Sequence, residues 1–217
     1  MSRSQGKQAA GVPRVILIGG APLCGKTAVA CELAARLGCV CLSTDDLGTA
    51  IAAVTTPQSH PALHPMGGLA YADYYTRRSH EELIKDALQQ LTATWPAVAA
   101  VIHAHATWRC PAVIEGWALL PAEVADLRLA AAAPVYLVSD GKTIRQRLGA
   151  DEDFLRPASD KRRLIDRFCR RSLWYNQMVE ESAQRLGLPV VQSLSNTSVE
   201  EVAEACLRAT RRGVQIG

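Results

Sequence analysis

Aromatic side chains are scarce in this chain, 5% of residues with only two Phe. That excludes a core built mainly on Phe. A core of mostly Ala, Leu and Val is expected instead, and an apolar content of 48% is ample for it. Few aromatics also means few platforms for stacking single-stranded bases. Excess charge is lacking as well: a net charge of +3 gives no basic field for a phosphodiester backbone, so a nucleic-acid partner is not expected. No apolar run is long enough to cross a bilayer, so no membrane association is expected. No internal repeat and no interdomain linker is evident, and 217 residues suit one domain.

The C-x-x-C spacing is also missing, although there are seven cysteines. An odd number without that spacing argues against a disulfide framework. Cys24, Cys31, Cys39, Cys41, Cys110, Cys169 and Cys206 are expected to be small buried residues of a reducing compartment, the cytoplasm. Residues 1–11 are polar and are expected to form a disordered leader. Val15 to Leu23 follows early basic residues and mimics a signal-peptide core, but it is short and runs into a glycine-rich loop, so it reads as a strand.

What is present is a phosphate-binding pattern. Gly20-Ala21-Pro22-Leu23-Cys24-Gly25-Lys26-Thr27 matches G-x-x-x-x-G-K-[ST] at every fixed position. A short apolar run, Arg14 to Gly19, precedes it, and a helix-favouring run from Ala28 to Leu37 follows and stops at Gly38. Strand, glycine-rich loop and helix is the context in which backbone N–H groups converge on phosphate oxygens. Lys26 is expected to reach the β- and γ-phosphates, and the Thr27 hydroxyl to ligate Mg²⁺. Gly141-Lys142-Thr143 repeats the last three letters, but Tyr136 stands where the first glycine belongs, so an ordinary helix start is expected there.

Further along, Val40 to Asp46 reads as a second strand ending in two acids. Strand ends are where ligands gather in parallel sheets. Asp45 is the candidate base for a substrate hydroxyl, with Asp45 or Asp46 also able to cap a helix over 47–51. The Pro-, Gly- and His-rich stretch 55–68 reads as a long loop, a candidate substrate flap. Tyr74, Arg77 and Arg78 are candidates for holding an acidic or phosphorylated acceptor. Two helices are expected next, 81–91 and 97–106, the second starting after Pro96. Pro111 to Glu115 reads as a strand whose terminal carboxylate is the candidate Mg²⁺-linked acid. Gly116 is expected to let the backbone approach a ligand, and Trp117 to wall the acceptor pocket. Strands are also expected over 133–138 and 189–193, with helices over 142–148, 161–186 and 199–211. Ser159 is the expected cap of the second of these, and Thr197 with Glu200 the expected capping box of the third. The 193–197 loop is a candidate adenine rest. Arginines are dense between 145 and 171, and Arg156 and Arg163 are the candidates for charge stabilisation from a mobile lid at about 149–165. Strand and helix alternate throughout, which implies an α/β fold with a parallel sheet covered on both faces.

Three pieces together, Gly20 to Thr27, Ser43-Thr44-Asp45 and Val113-Ile114-Glu115-Gly116, resemble the P-loop kinases of small metabolites. The nearest resemblance is to 2-phosphoglycerate kinase and the group containing zeta toxins, chloramphenicol phosphotransferase and polynucleotide kinase. It implies a three-layer P-loop NTPase fold over 12–217, with a five-stranded parallel sheet of order 2-3-1-4-5 and a helical lid. It also implies ATP and Mg²⁺ as cofactors and phosphoryl transfer to a hydroxyl. In the group the acid after the second strand acts as base, which falls on Asp45, and the Mg²⁺-linked carboxylate falls on Glu115. A small-molecule acceptor is expected, with room for a homodimer. The competing readings are a polynucleotide 5′-hydroxyl kinase and a non-catalytic nucleotide-binding regulatory module.

Overall fold

The computed structural model describes residues 13–213. The expected leader, residues 1–11, lies outside the described residues. Five strands form one parallel sheet: β1 (Val15–Gly20), β2 (Val40–Ser43), β3 (Ala112–Glu115), β4 (Ala132–Val138) and β5 (Val190–Gln192). Their order is β2-β3-β1-β4-β5. β1 is central, and all six of its residues are buried. Such a strand cannot show polar alternation, which is why it reads in the sequence as a continuous apolar run. The register aligns Ile18 with Glu115 and Glu115 with Ser43. The phosphate loop, Thr44 and Gly116 therefore all leave the same edge of the sheet.

The helices are α1 (Lys26–Leu37), α2 (Thr44–Ala53), α3 (Tyr71–Arg77), α4 (His80–Thr107), α5 (Pro121–Asp126), α6 (Gly141–Gly149), α7 (Glu152–Leu155), α8 (Lys161–Arg185) and α9 (Val199–Gly213). Residues 55–68 form a loop apart from a single 3₁₀ turn, Pro61–Leu63. No described helix is long and apolar enough to cross a membrane.

Several expectations are corrected. The two helices read on either side of Pro96 are one helix, α4, with Pro96 inside it. Proline removes one hydrogen bond, but the buried stripe Leu83, Ala87, Leu91, Thr94, Val98, Ile102 and His105 runs through at helical spacing, and packing decides. The acids at 45 and 46 do not end a strand and do not cap. β2 stops at Ser43, whose hydroxyl accepts from the Asp45 N–H, and both acids lie in the first turn of α2, where the helix dipole favours them. α8 is capped by Asp160 rather than Ser159. At α9 the reciprocal capping pair is Ser198 and Glu201, one residue beyond the expected pair. Helices α3, α5 and α7 were not legible as such, because each is seven residues or shorter.

The interior has two parts. The main core packs around the sheet and is chiefly Val, Ile, Leu and Ala, as the composition implies. A second cluster lies between α3, α4, α6, α7 and α8 and takes Tyr74, Tyr75 and Phe168, with Tyr71 and Phe154 packed against it. Both of the chain's Phe residues therefore sit here, beside the carboxyl edge of the sheet.

Candidate active site

The phosphate loop is built by backbone that only some residues tolerate. Gly25 precedes α1 with φ 83°, and Leu23 is also left-handed at φ 67°. Gly20 faces Leu137 so closely that a Cβ would stand 2.3 Å from the Leu137 carbonyl oxygen. Gly25 offers no side chain to cap α1, so the first-turn N–H groups of that helix stay open toward the loop. The lookalike at Gly141 differs in this respect. Asp140 caps α6 by accepting from the Thr143 N–H at 2.7 Å, which closes that terminus to an anion. Lys26 is buried and donates to the Ala21 carbonyl at 2.9 Å, so the ammonium lies within the curl of the loop.

The loop is braced from behind. Cys24 Sγ donates to Asn176 Oδ1 at 3.5 Å, and the same oxygen accepts from the Ser139 N–H at 3.0 Å. Burial raises the Cys24 thiol above its ordinary value and keeps it a protonated donor, against the pull of Lys26. Arg147, from α6, donates to the Leu23 carbonyl at 2.8 Å and to Ser193 Oγ at 3.3 Å. Sequence reasoning missed Arg147 among its neighbours. The 193–197 loop, read as an adenine rest, is thereby tied beside the phosphate loop.

Thr27 Oγ1 donates to Glu115 Oε1 at 3.2 Å, and Glu115 is buried at the end of β3. A hydroxyl and a carboxylate next to an open helix terminus are hard oxygen donors of the kind Mg²⁺ takes, so this pair fits that ion. A Cβ on Gly116 would meet Thr44 Oγ1 at 1.7 Å, so the glycine makes room for Thr44.

A cavity of about 560 Å³ opens beside the loop, with Lys26, Asp45, Tyr74 and Trp117 on its walls. Asp45 is open to this cavity, yet the surrounding protein withdraws enough water to raise its carboxyl above the ordinary value. Lys26 and Trp117 oppose that rise, and Asp46 adds to it. Leu63, Pro65 and Met66 bring the long 55–68 loop onto the rim.

Four candidates are not brought to the cavity. Arg77 is exposed and pairs with Asp73 at 3.6 Å. Arg78 pairs with Glu82 at 3.2 Å, one turn along. Arg156 is exposed and paired with Asp153, and Arg163 is an exposed residue of α8. In each case a charged side chain free to reach water or a local partner does so. Among the described residues, the arginine that does line the cavity is Arg171, which is 9% exposed. Its guanidinium lies 4.9 Å from the Tyr75 ring centroid, 5.3 Å from Phe168 and 5.5 Å from Trp117. The signal that could have found it is spacing: Leu164, Phe168, Arg171 and Tyr175 share the buried stripe of α8, and an arginine on an apolar stripe is out of place.

Comparison with known proteins agrees with this layout. No family model matches the chain. Two curated relatives, the 2-phosphoglycerate kinases of Pyrococcus horikoshii and Pyrococcus furiosus, are 29% and 32% identical over 111 residues. That match covers 51% of this chain and 37% of each relative, little more than a third of their length. Among solved structures, a gluconokinase from Sinorhizobium meliloti superposes with a TM-score of 0.53 at 17% identity, over 94% of this chain and 95% of that one. A shikimate kinase from Acinetobacter baumannii in complex with shikimate superposes with a TM-score of 0.52 at 16% identity, over 91% and 92%. The chain thus has the α/β P-loop fold of these proteins and resembles the P-loop kinases of small molecules.

Proposed function

We propose that this protein is an ATP-dependent kinase that transfers the γ-phosphoryl group to a hydroxyl of a small acidic or phosphorylated acceptor. One observation carries the reading: a single cavity joins Lys26, inside the phosphate loop, to Asp45. A switch module has no need of an acceptor chamber with an acid on its wall. The partial likeness to 2-phosphoglycerate kinases and the fold shared with a gluconokinase and a shikimate kinase support the same class.

The residues divide the work as follows. The open N–H groups of the loop and α1 hold the phosphates, and Lys26 lies against the β- and γ-oxygens. Thr27 and Glu115 would hold Mg²⁺, which when bound neutralises phosphate charge. Asp45 accepts the proton of the acceptor hydroxyl as that oxygen attacks in line. Its raised proton affinity suits it to that step. Closure of residues 149–165 would be needed to bring Arg156 or Arg163 to the transferring group.

The test is Asp45→Asn. Turnover, followed as acceptor-dependent ADP release, is expected to fall by about 10²- to 10⁴-fold while ATP affinity stays unchanged. Normal turnover in that variant would remove Asp45 as base.

A further inference from the structure

The acceptor cavity has a composition that narrows its ligand. In a chain that is only 5% aromatic, five aromatic side chains line it: Tyr71, Tyr74, Tyr75, Trp117 and Phe168. Two of the tyrosines have their hydroxyls engaged elsewhere. Tyr74 donates to Asp86 at 2.9 Å, and Tyr71 donates to the Phe154 carbonyl. What these two offer the cavity is ring carbon rather than a polar tip. Leu63, Met66 and Leu91 extend the apolar lining.

Against this wall stand few charges. Among the described residues, Lys26, Asp45 and Arg171 are the charged ones lining the cavity, and Lys26 belongs to the phosphate loop. Among these, Arg171 is therefore the cation left for an acceptor. Among the described residues no carboxylate pairs with it. Three rings hold the faces of its guanidinium, but a guanidinium also carries five N–H donors that rings satisfy poorly. A planar, bidentate anion is what those donors fit.

We propose that the acceptor is a monoanionic hydroxy acid with an apolar, preferably aromatic, body. Its carboxylate sits on Arg171, its hydroxyl on Asp45, and its body against the Tyr74, Tyr75 and Phe168 side. This rests on the kinase reading above and goes beyond it. A phosphorylated three-carbon acid fits poorly. It would bring about three negative charges to one free cation with Asp45 nearby, and would leave wetted apolar wall in a cavity of drug-sized volume.

The test uses four probes on the intact protein with a non-hydrolysable ATP analogue and Mg²⁺ present: 3-phenyllactate, lactate, 3-phenyllactamide and 2-phosphoglycerate. Calorimetry reads binding, and ADP release with ATP reads transfer. Burial of the phenyl ring should make 3-phenyllactate bind about thirtyfold tighter than lactate. Loss of the charge in the amide should weaken binding about tenfold. In Arg171→Gln the acid and the amide should bind alike, with Arg171→Lys recovering part of the difference. Equal binding of lactate and 3-phenyllactate overturns the proposal, as does tighter binding of 2-phosphoglycerate, or no binding of 3-phenyllactate at millimolar concentration. The two readings fail separately. ADP release with 2-phosphoglycerate alone keeps the kinase and overturns this acceptor class. Selective binding of 3-phenyllactate without ADP release from any hydroxy acid keeps the ligand class and removes the kinase.

Discussion

Substituting Gly116 by alanine tests how the strand ends are fitted together. The added Cβ would lie 1.7 Å from Thr44 Oγ1, 2.7 Å from Thr44 Cβ and 3.1 Å from Thr44 Cγ2. Two of these distances are far inside van der Waals contact, and Thr44 is itself 2% exposed, with little room to retreat. Overpacking of this kind costs about 1–3 kcal/mol. The backbone adds a second cost: φ at Gly116 is +149°, a region side chains rarely adopt, worth about 1–3 kcal/mol. The sum, about 2–6 kcal/mol, is a large share of the roughly 5–15 kcal/mol that holds a domain of this size. Urea denaturation followed by circular dichroism should show a lower midpoint with an unchanged slope. Thr44→Gly in the same background removes all three contacting atoms, so Gly116→Ala should cost about 1–3 kcal/mol less there. Because Thr44 adjoins Asp45, acceptor-dependent ADP release should fall more than ATP affinity. A Gly116→Ala protein within about 0.5 kcal/mol of wild type would refute the packing argument.

Two further outcomes are expected. The Asp45 carboxyl has a folded pKa above its unfolded value, so the folded state keeps its proton to higher pH than the unfolded chain does. This group's contribution to stability should therefore fall as pH rises from the ordinary carboxylate pKa to the raised one, and then level off. Asp45→Asn should flatten that part of the stability profile and gain stability at neutral pH, read by urea midpoints across pH. Arg147→Ala removes the donors to Leu23 and Ser193, and should weaken ATP binding about tenfold in calorimetry while costing about 1 kcal/mol of stability.

The nucleotide half was legible because its requirements are local. Glycines at 20 and 25, Lys26 and Thr27 fall within eight consecutive residues, so a short pattern can hold them. The sheet was legible for a related reason: each strand is a short apolar run closed by a turn or a cap. The wall of the cavity is assembled from α2, the 55–68 loop, α3, α4 and α8, and no short pattern spans such distances. Arg77 and Arg78 beside two tyrosines looked like an anion site, but a helix turn gave each its own carboxylate. Arg171 was hidden among many arginines. Only its place on the apolar stripe of α8 separates it from neighbours that face water. Pro96 misled because a proline is a local signal, and the buried stripe that overrides it spans the whole of α4.

A triphosphate held by the loop around Lys26 is the first requirement of the proposed kinase. Calorimetric titration of Mg·ATP into the wild-type protein and into Lys26→Met tests this most directly. A saturable heat with wild type, weakened at least about tenfold in Lys26→Met, is the expected result. No heat at millimolar Mg·ATP, or equal affinity in the two proteins, would contradict it.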